Sequence, residues 1–110
     1  MVEFIPSFIT RLIAEKNMSL NTVNSYKNDL LVFSKFLHAH DLSPLIVDRS
    51  SINNFIELQR AKGFSENTVS RRLSTLRQFY KFLVIEGKIG ESPCKGIKNF
   101  KTKTLLPRLL

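Results

Sequence analysis

The sequence predicts an all-α fold, a compact four-helix bundle with a basic C-terminal linker. Three observations lead there. Apolar residues recur at helical spacing in four separate stretches of the 110-residue chain. Ser, Pro and Gly stand where such stretches should start and stop. The hydrophobic share is 43%, enough for one domain of this length to bury a core.

The first stretch covers residues 2–16. Val2, Ile5, Ile9, Leu12 and Ile13 mark an inner stripe, with Phe4 and Phe8 beside it. Pro6 fits the first turn, where a missing N–H costs little. After a break at 17–19, Ser19 caps a second helix over residues 20–39. Val23, Tyr26, Leu30, Phe33 and Leu37 face inward. Asn21, Asn24, Ser25, Asn28 and Lys35 face outward, and Asp29 lies towards the edge. Residues 40–48 form a connector. Pro44 disfavours helix at Ser43, and Leu45, Ile46 and Val47 are expected to plug the core. Ser50 or Ser51 opens a third helix over residues 51–62, with Ile52, Phe55, Ile56 and Gln59 inward. Phe64 should pack over the start of the fourth helix as a hydrophobic staple.

The fourth helix, Ser65–Gly87, has the clearest pattern. Val69, Leu73, Leu76, Tyr80 and Leu83 form its inner stripe, flanked by Phe79 and Val84. Ser65 or Asn67 can cap its start, and Gly87 suits a left-handed position just past its end. Opposite the stripe lie Asn67, Ser70, Arg71, Ser74, Gln78 and Lys81. A solvated helix face usually mixes Glu with Lys. Here the acids, Glu66 and Glu86, stand only at the two ends. The middle offers hydroxyl, amide and guanidinium groups, which bond phosphates and base edges. Taken alone, this face fits a solvated surface and a nucleic-acid contact equally well.

Residues 1–88 read as one domain and 89–110 as a linker. The stretch 88–104 holds Gly90, Pro93, Gly96 and the lysines 88, 95, 98, 101 and 103. The apolar ending Leu105-Leu106-Pro107-Arg108-Leu109-Leu110 reads as the start of further structure, so a piece of a longer protein is expected.

The net charge is +8 and unevenly placed. Residues 1–59 carry five Lys/Arg and six Asp/Glu, whereas residues 60–110 carry twelve and three. Such an imbalance points to a polyanion bound mainly through the second half, either nucleic acid or an anionic membrane surface. Membrane docking needs a basic helix with a spare apolar face, and here the apolar stripes are required for a core. No apolar run is long enough to span a bilayer, and the N-terminus lacks the basic start of a signal peptide.

Other chemistries find little support. Cys94 is the single cysteine, so neither an intrachain disulfide nor a cysteine metal cluster is expected, and a reducing compartment fits. His38 and His40 beside Asp41 make a poor zinc set. A nucleophile triad, paired catalytic carboxylates and a Gly-rich phosphate loop are all missing. No cofactor and no catalytic residue are therefore expected. Tyr26 and Tyr80 sit on inner stripes, where burial with the hydroxyl reaching a rim partner is the better reading. Phe36 and Phe82 fall on polar sides. They could mark a partner surface, or be ordinary exposed apolar residues.

Two stretches echo each other. MSLNTVNSYKNDLLVFSKFL (18–37) and FSENTVSRRLSTLRQFYKFL (64–83) share a capped start, an Asn-Thr-Val and a Lys-Phe-Leu finish. Asn21-Thr22-Val23-x-Ser25-Tyr26-x-x-Asp29-Leu30, with Phe33 and Phe36-Leu37, resembles the core-binding domain of tyrosine site-specific recombinases. So does Thr68-Val69-x-Arg71-Arg72-Leu73-Ser74-x-Leu76-Arg77-x-Phe79-Tyr80-x-Phe82-Leu83, followed by Pro93. The likeness covers nearly the whole chain and is strongest to Xer-type members of the phage integrase family.

The resemblance implies a SAM-like orthogonal bundle that forms half of a clamp on duplex DNA, with its second and fourth helices in the major groove. It also implies a role in site-specific recombination or integration, chromosome dimer resolution first among them. The tyrosine nucleophile of that family belongs to a domain outside this sequence, so this chain is expected to bind DNA without cutting it. Sister protomers in a tetramer are the implied partners of the full-length protein, the fragment alone being monomeric. A bacterial, cytoplasmic, nucleoid-associated setting follows from the same likeness.

The candidate DNA contacts are Asn21, Thr22, Ser25, Lys27, Asn67, Ser70, Arg71, Arg72, Ser74, Arg77, Gln78 and Lys81. Arg71 and Gln78 are favoured for bases, because Arg pairs with guanine and Gln with adenine. Arg72 lies nearer the apolar stripe, where it can reach a phosphate from the rim or pair with an acid such as Glu57 or Asp29. The rival reading from another class is a helical protein-interaction module that uses Phe36 and Phe82.

Overall fold

The computed structural model describes residues 1–97. The residues from Lys98 onward, including the later linker lysines and the apolar ending, lie outside the described part. A 3-10 turn, Val2–Phe4, leads into α1 (Ile5–Lys16), followed by α2 (Leu20–Ala39), α3 (Arg49–Ala61) and α4 (Glu66–Ile85). The described residues are all-helical, with the order and number of helices that the periodicity predicts.

Local chemistry fixes the helix ends. Pro6 lies in the first turn of α1. Ser19 Oγ accepts from the Thr22 N–H at 3.2 Å, and Ser65 Oγ accepts from the Thr68 N–H at the same 3.2 Å. α3 starts two residues earlier than expected, because Asp48 is the cap and its carboxylate accepts from the Ser51 N–H at 2.9 Å. That bond holds the Asp48 carboxyl below its ordinary range. α2, α3 and α4 all end in paired reverse bonds of the Schellman type. In α4 the Lys88 N–H reaches the Leu83 carbonyl at 2.9 Å and the Gly87 N–H reaches Val84 at 3.0 Å. Gly87 has φ +76°, the left-handed geometry that a residue without Cβ adopts freely. At the end of α2 the same role falls to Asp41, at φ 57°.

The core is aromatic and lies along α4. Phe8 of α1 meets Phe79 edge-on at 5.4 Å and Phe82 at 5.6 Å. On the other side Phe33 and Phe36 of α2 meet Phe55 of α3 at 5.1 and 5.2 Å. Tyr80 is buried and its hydroxyl donates to the Pro44 carbonyl at 2.9 Å, which ties the 40–48 connector to α4.

Four details correct the expectations. The buried side of α1 is Ile5, Phe8 and Leu12, while Ile13 is 48% and Val2 58% exposed. α1 therefore presents a narrower stripe to its neighbours than its apolar content suggests. Of Leu45, Ile46 and Val47 only Val47 is buried; Leu45 and Ile46 are exposed. Phe36 and Phe82 are both 7% exposed. α3 covers one and α1 the other, because a helix with neighbours on several sides buries more than one stripe. Finally, Cys94 is part of the core, and Ile89 and Ile97 pack against that core. The first part of the basic stretch is thus folded onto the bundle. Burial pushes the Cys94 thiol up to about 11.

Candidate nucleic-acid interface

The two echoing stretches become α2 and α4 and pack on each other. Their starts are twins. Ser19 Oγ lies 3.0 Å from Thr22 Oγ1, and Ser65 Oγ lies 3.1 Å from Thr68 Oγ1. Each hydroxyl pair sits at a helix N-terminus, where free N–H groups favour negative charge.

Near the middle of both helices lies a buried polar cluster. Asp29 of α2 is 1% exposed. Its carboxylate accepts from Arg71 Nε at 3.1 Å and from Arg71 Nη2 at 2.6 Å, a bidentate pair. Thr75 Oγ1 lies 2.8 Å from the same carboxylate and 3.1 Å from the Arg71 carbonyl. Arg72 Nε reaches Asp29 at 3.4 Å, and Arg72 Nη1 donates to Gln59 of α3. The Arg72 guanidinium also lies over the Phe64 ring, 4.3 Å from its centroid. Phe64 therefore acts as a platform for a cation. The bond to Asp29 raises the Arg71 pKa above its ordinary value. Asp29, Ser70 and Thr75 are all buried, and the Thr75–Asp29 bond joins α4 to α2.

The candidate residues divide by exposure. Asn21, Thr22, Lys27, Asn67, Arg71 and Lys81 are exposed, while Ser25, Ser74, Arg77 and Gln78 are half-buried. Ser70 is buried, and the Arg72 side chain is only 11% exposed. Of the two readings for Arg72, pairing with Asp29 is the one present. The Arg77 guanidinium donates to the Ile97 carbonyl, so it anchors the folded-back chain. Gln78 and Lys81 border a shallow depression shared with Arg11 and Lys16 of α1. Arg71 and Arg72 border a second one with Asn28 and Lys35 of α2.

Asp29, Thr75 and Gln59 were not among the candidates. One signal in the sequence does mark Asp29 and Thr75: they occupy equivalent positions in the echo, so they should face each other if the two helices pack symmetrically. Asn24 and Asn28 are exposed as well, although they were not among the candidates. Among the described residues no three His, Cys, Asp or Glu side chains gather as a metal site would require. Nor is any described helix long and apolar enough to cross a membrane.

Comparison with known proteins agrees with this architecture. The sequence profile of the phage integrase N-terminal SAM-like domain matches residues 5–87. The chain is 33% identical over 109 residues to tyrosine recombinase XerD of Rickettsia bellii, covering 99% of this chain and 36% of that protein. It is 37% identical over 107 residues to tyrosine recombinase XerC of Thermodesulfovibrio yellowstonii, covering 97% of this chain and 35% of that protein. It is 35% identical over 102 residues to tyrosine recombinase XerC of Listeria welshimeri, covering 92% and 34%. The chain thus spans little more than a third of the length of these relatives. No solved structure matches it significantly. With its profile match running from the start of α1 to just past the end of α4, the chain belongs to the phage integrase family, as an N-terminal SAM-like domain of the Xer-type tyrosine recombinase kind.

Proposed function

We propose that this chain is the duplex-DNA-binding half of a tyrosine recombinase acting in site-specific recombination, with Xer-type chromosome dimer resolution as its setting. One observation carries the reading: the paired helices α2 and α4 present amides, hydroxyls and guanidinium groups from matched capped starts. The basic excess of residues 60–110 adds the long-range attraction that DNA binding uses. Arg71 and Gln78 are the proposed base readers. Lys27, Lys81 and the hydroxyls of Thr22, Ser25 and Ser74 hold phosphates. The chain neither cuts nor joins DNA. It is a monomer alone and one of four protomers when full length, in a bacterial cytoplasm.

Affinity for duplex DNA measured against salt tests this. The expected plot is steep, and Arg71→Ala with Lys81→Ala weakens binding. Loss of one base reader should cost about 1–3 kcal/mol and relax sequence preference. A flat plot, or an unaffected double variant, sinks the proposal. Relaxation or cleavage of supercoiled DNA by the purified chain would overturn the non-catalytic assignment. The rival protein-interaction reading relied on exposed Phe36 and Phe82, and both are buried.

A further inference from the structure

We infer that Asp29 is a positioning residue for DNA recognition: it holds Arg71 so that the end-on edge of the guanidinium meets two side-by-side acceptors on DNA. This rests on the DNA-binding reading above. Two sources offer such acceptors, the O6/N7 edge of guanine and a pair of phosphate oxygens.

The geometry leads to this step by step. A guanidinium has two edges that can make paired bonds. Asp29 occupies the side edge of Arg71, Nε at 3.1 Å and Nη2 at 2.6 Å. That leaves both N–H groups of Nη1 and one of Nη2, of which one on each nitrogen points along the axis of the side chain. The Arg71 side chain is 45% exposed although its partner is 1% exposed. The far edge of the guanidinium thus stays open to solvent.

Asp29 is itself fixed. Thr75 Oγ1 at 2.8 Å and Arg72 Nε at 3.4 Å engage it from α4. One carboxylate therefore faces two guanidinium groups, and the cluster keeps one positive charge. Arg72 is 11% exposed and held by Gln59 as well, so Arg71 is where that charge meets solvent. A free arginine must give up rotamer freedom on binding DNA. A braced one has given it up already, which favours both affinity and selectivity.

The sign of one measurement separates this from a purely structural ion pair. Removing an acid beside DNA should, on charge alone, strengthen binding. The positioning role requires the opposite. The probe is a duplex selected by the unaltered chain from a randomised 30-base-pair pool (roughly three helical turns). Its affinity is measured for the unaltered chain, Asp29→Asn, Arg71→Ala and the double variant, with helicity checked by circular dichroism. Arg71→Ala should weaken binding about tenfold or more, and Asp29→Asn about fivefold. In the Arg71→Ala background Asp29→Asn should add less than about twofold, because the two residues act as one unit. Tighter or unchanged binding by Asp29→Asn overturns the inference, and so does an equal loss in both backgrounds.

If Asp29→Asn loses its helicity, Arg71→Lys decides, since the site is open and lysine keeps the charge without the fork. Its loss should lie within about twofold of Arg71→Ala. Wild-type affinity in Arg71→Lys overturns the inference. Replacing guanine by 7-deazaguanine in the probe removes N7. A loss seen in the unaltered chain but not in Arg71→Ala assigns the acceptors to guanine, and no loss assigns them to phosphate. If the unaltered chain binds no duplex, the DNA reading and this inference fall together. If it binds while the cycle fails, only the inference falls.

Discussion

α2 and α4 are the same length, start with the same Ser-x-x-Thr hydroxyl pair and end in the same reverse bonds. The buried apolar residues of α2 all have buried equivalents on α4: Val23 with Val69, Leu30 with Leu76, Phe33 with Phe79, Phe36 with Phe82, Leu37 with Leu83. α4 also buries Ser70, Leu73 and Tyr80, whose equivalents Asn24, Lys27 and Ser34 are not buried. They differ where they meet and where they face outward. At the midpoint α2 carries Asp29 and α4 carries Thr75. Outside, α4 exposes Arg71 and Lys81, and α2 exposes Lys27 and Lys35 among asparagines. The frame of the domain is thus nearly symmetric and its chemistry is not. Packing constrains the shared inner positions of both helices. At the outer positions α4 offers a guanidinium, Arg71, and α2 offers the amides Asn21, Asn24 and Asn28 beside its lysines.

The largest expected effects test the symmetry of the frame. Phe33→Ala and Phe79→Ala should each destabilise the domain by about 3–5 kcal/mol, measured by urea unfolding. A gap of more than about 2 kcal/mol between them would show that the matched positions are not equivalent in packing. The next test concerns the turns that follow each helix, which drop Val47 and Cys94 into the core. The Cys94 thiol is raised by burial from 9.0 to about 11, so the fold favours the neutral form. Its contribution is complete below pH about 9 and is lost as pH climbs towards 11, by about 2 kcal/mol near pH 10.5. Urea midpoints should fall over that window in the unaltered chain and less in Cys94→Ala. Tyr80, pushed upward first by burial and then by the Cys94 charge, keeps its burial contribution in both.

Smaller effects follow. Ser19→Ala and Ser65→Ala should each cost about 1 kcal/mol in thermal unfolding, and equally. Unequal losses would mean that one cap is backed by tertiary contacts the other lacks. Smallest of all, Lys27→Ala and Lys81→Ala should each flatten the salt dependence of DNA affinity by about one unit of slope. If only Lys81→Ala does so, α2 contributes shape rather than charge.

Much of this was legible in the sequence, for definite reasons. Helix number and order follow from apolar spacing, and the Ser19 and Ser65 caps from residue type. The α3 start was misplaced because Asp48, Ser50 and Ser51 are all competent caps, and only the course of the chain selects Asp48. Phe36 and Phe82 were placed on polar faces because periodicity assumes one buried stripe, while these helices are covered from more than one side. The burial of Thr75 goes with its bond to Asp29 on α2, a pairing that no single-helix pattern encodes. Cys94 sat in a stretch whose composition reads as a linker. Its burial depends on a turn, with the Cys94 N–H held by Ser92 Oγ at 3.0 Å, that composition does not reveal. The exposure of Arg71 and Lys81 follows from their spacing on the helix. The engagement of Arg72 and Arg77 does not, since their partners lie on other segments.

The fold-back after α4 has a consequence for anything that follows it. Arg77 holds the Ile97 carbonyl, Cys94 is seated in the core, and a Cβ at Gly96 would lie 3.1 Å from Arg49 Nη2. The chain is therefore held to the bundle as far as Ile97, beside Arg77 of α4, and not only as far as Gly87. A tether that starts there is shorter by the whole stretch between the two residues. Effective concentration falls steeply as a tether lengthens. A second unit attached beyond this point and sharing a target with this domain would meet it at a higher local concentration than a count of residues from Gly87 implies.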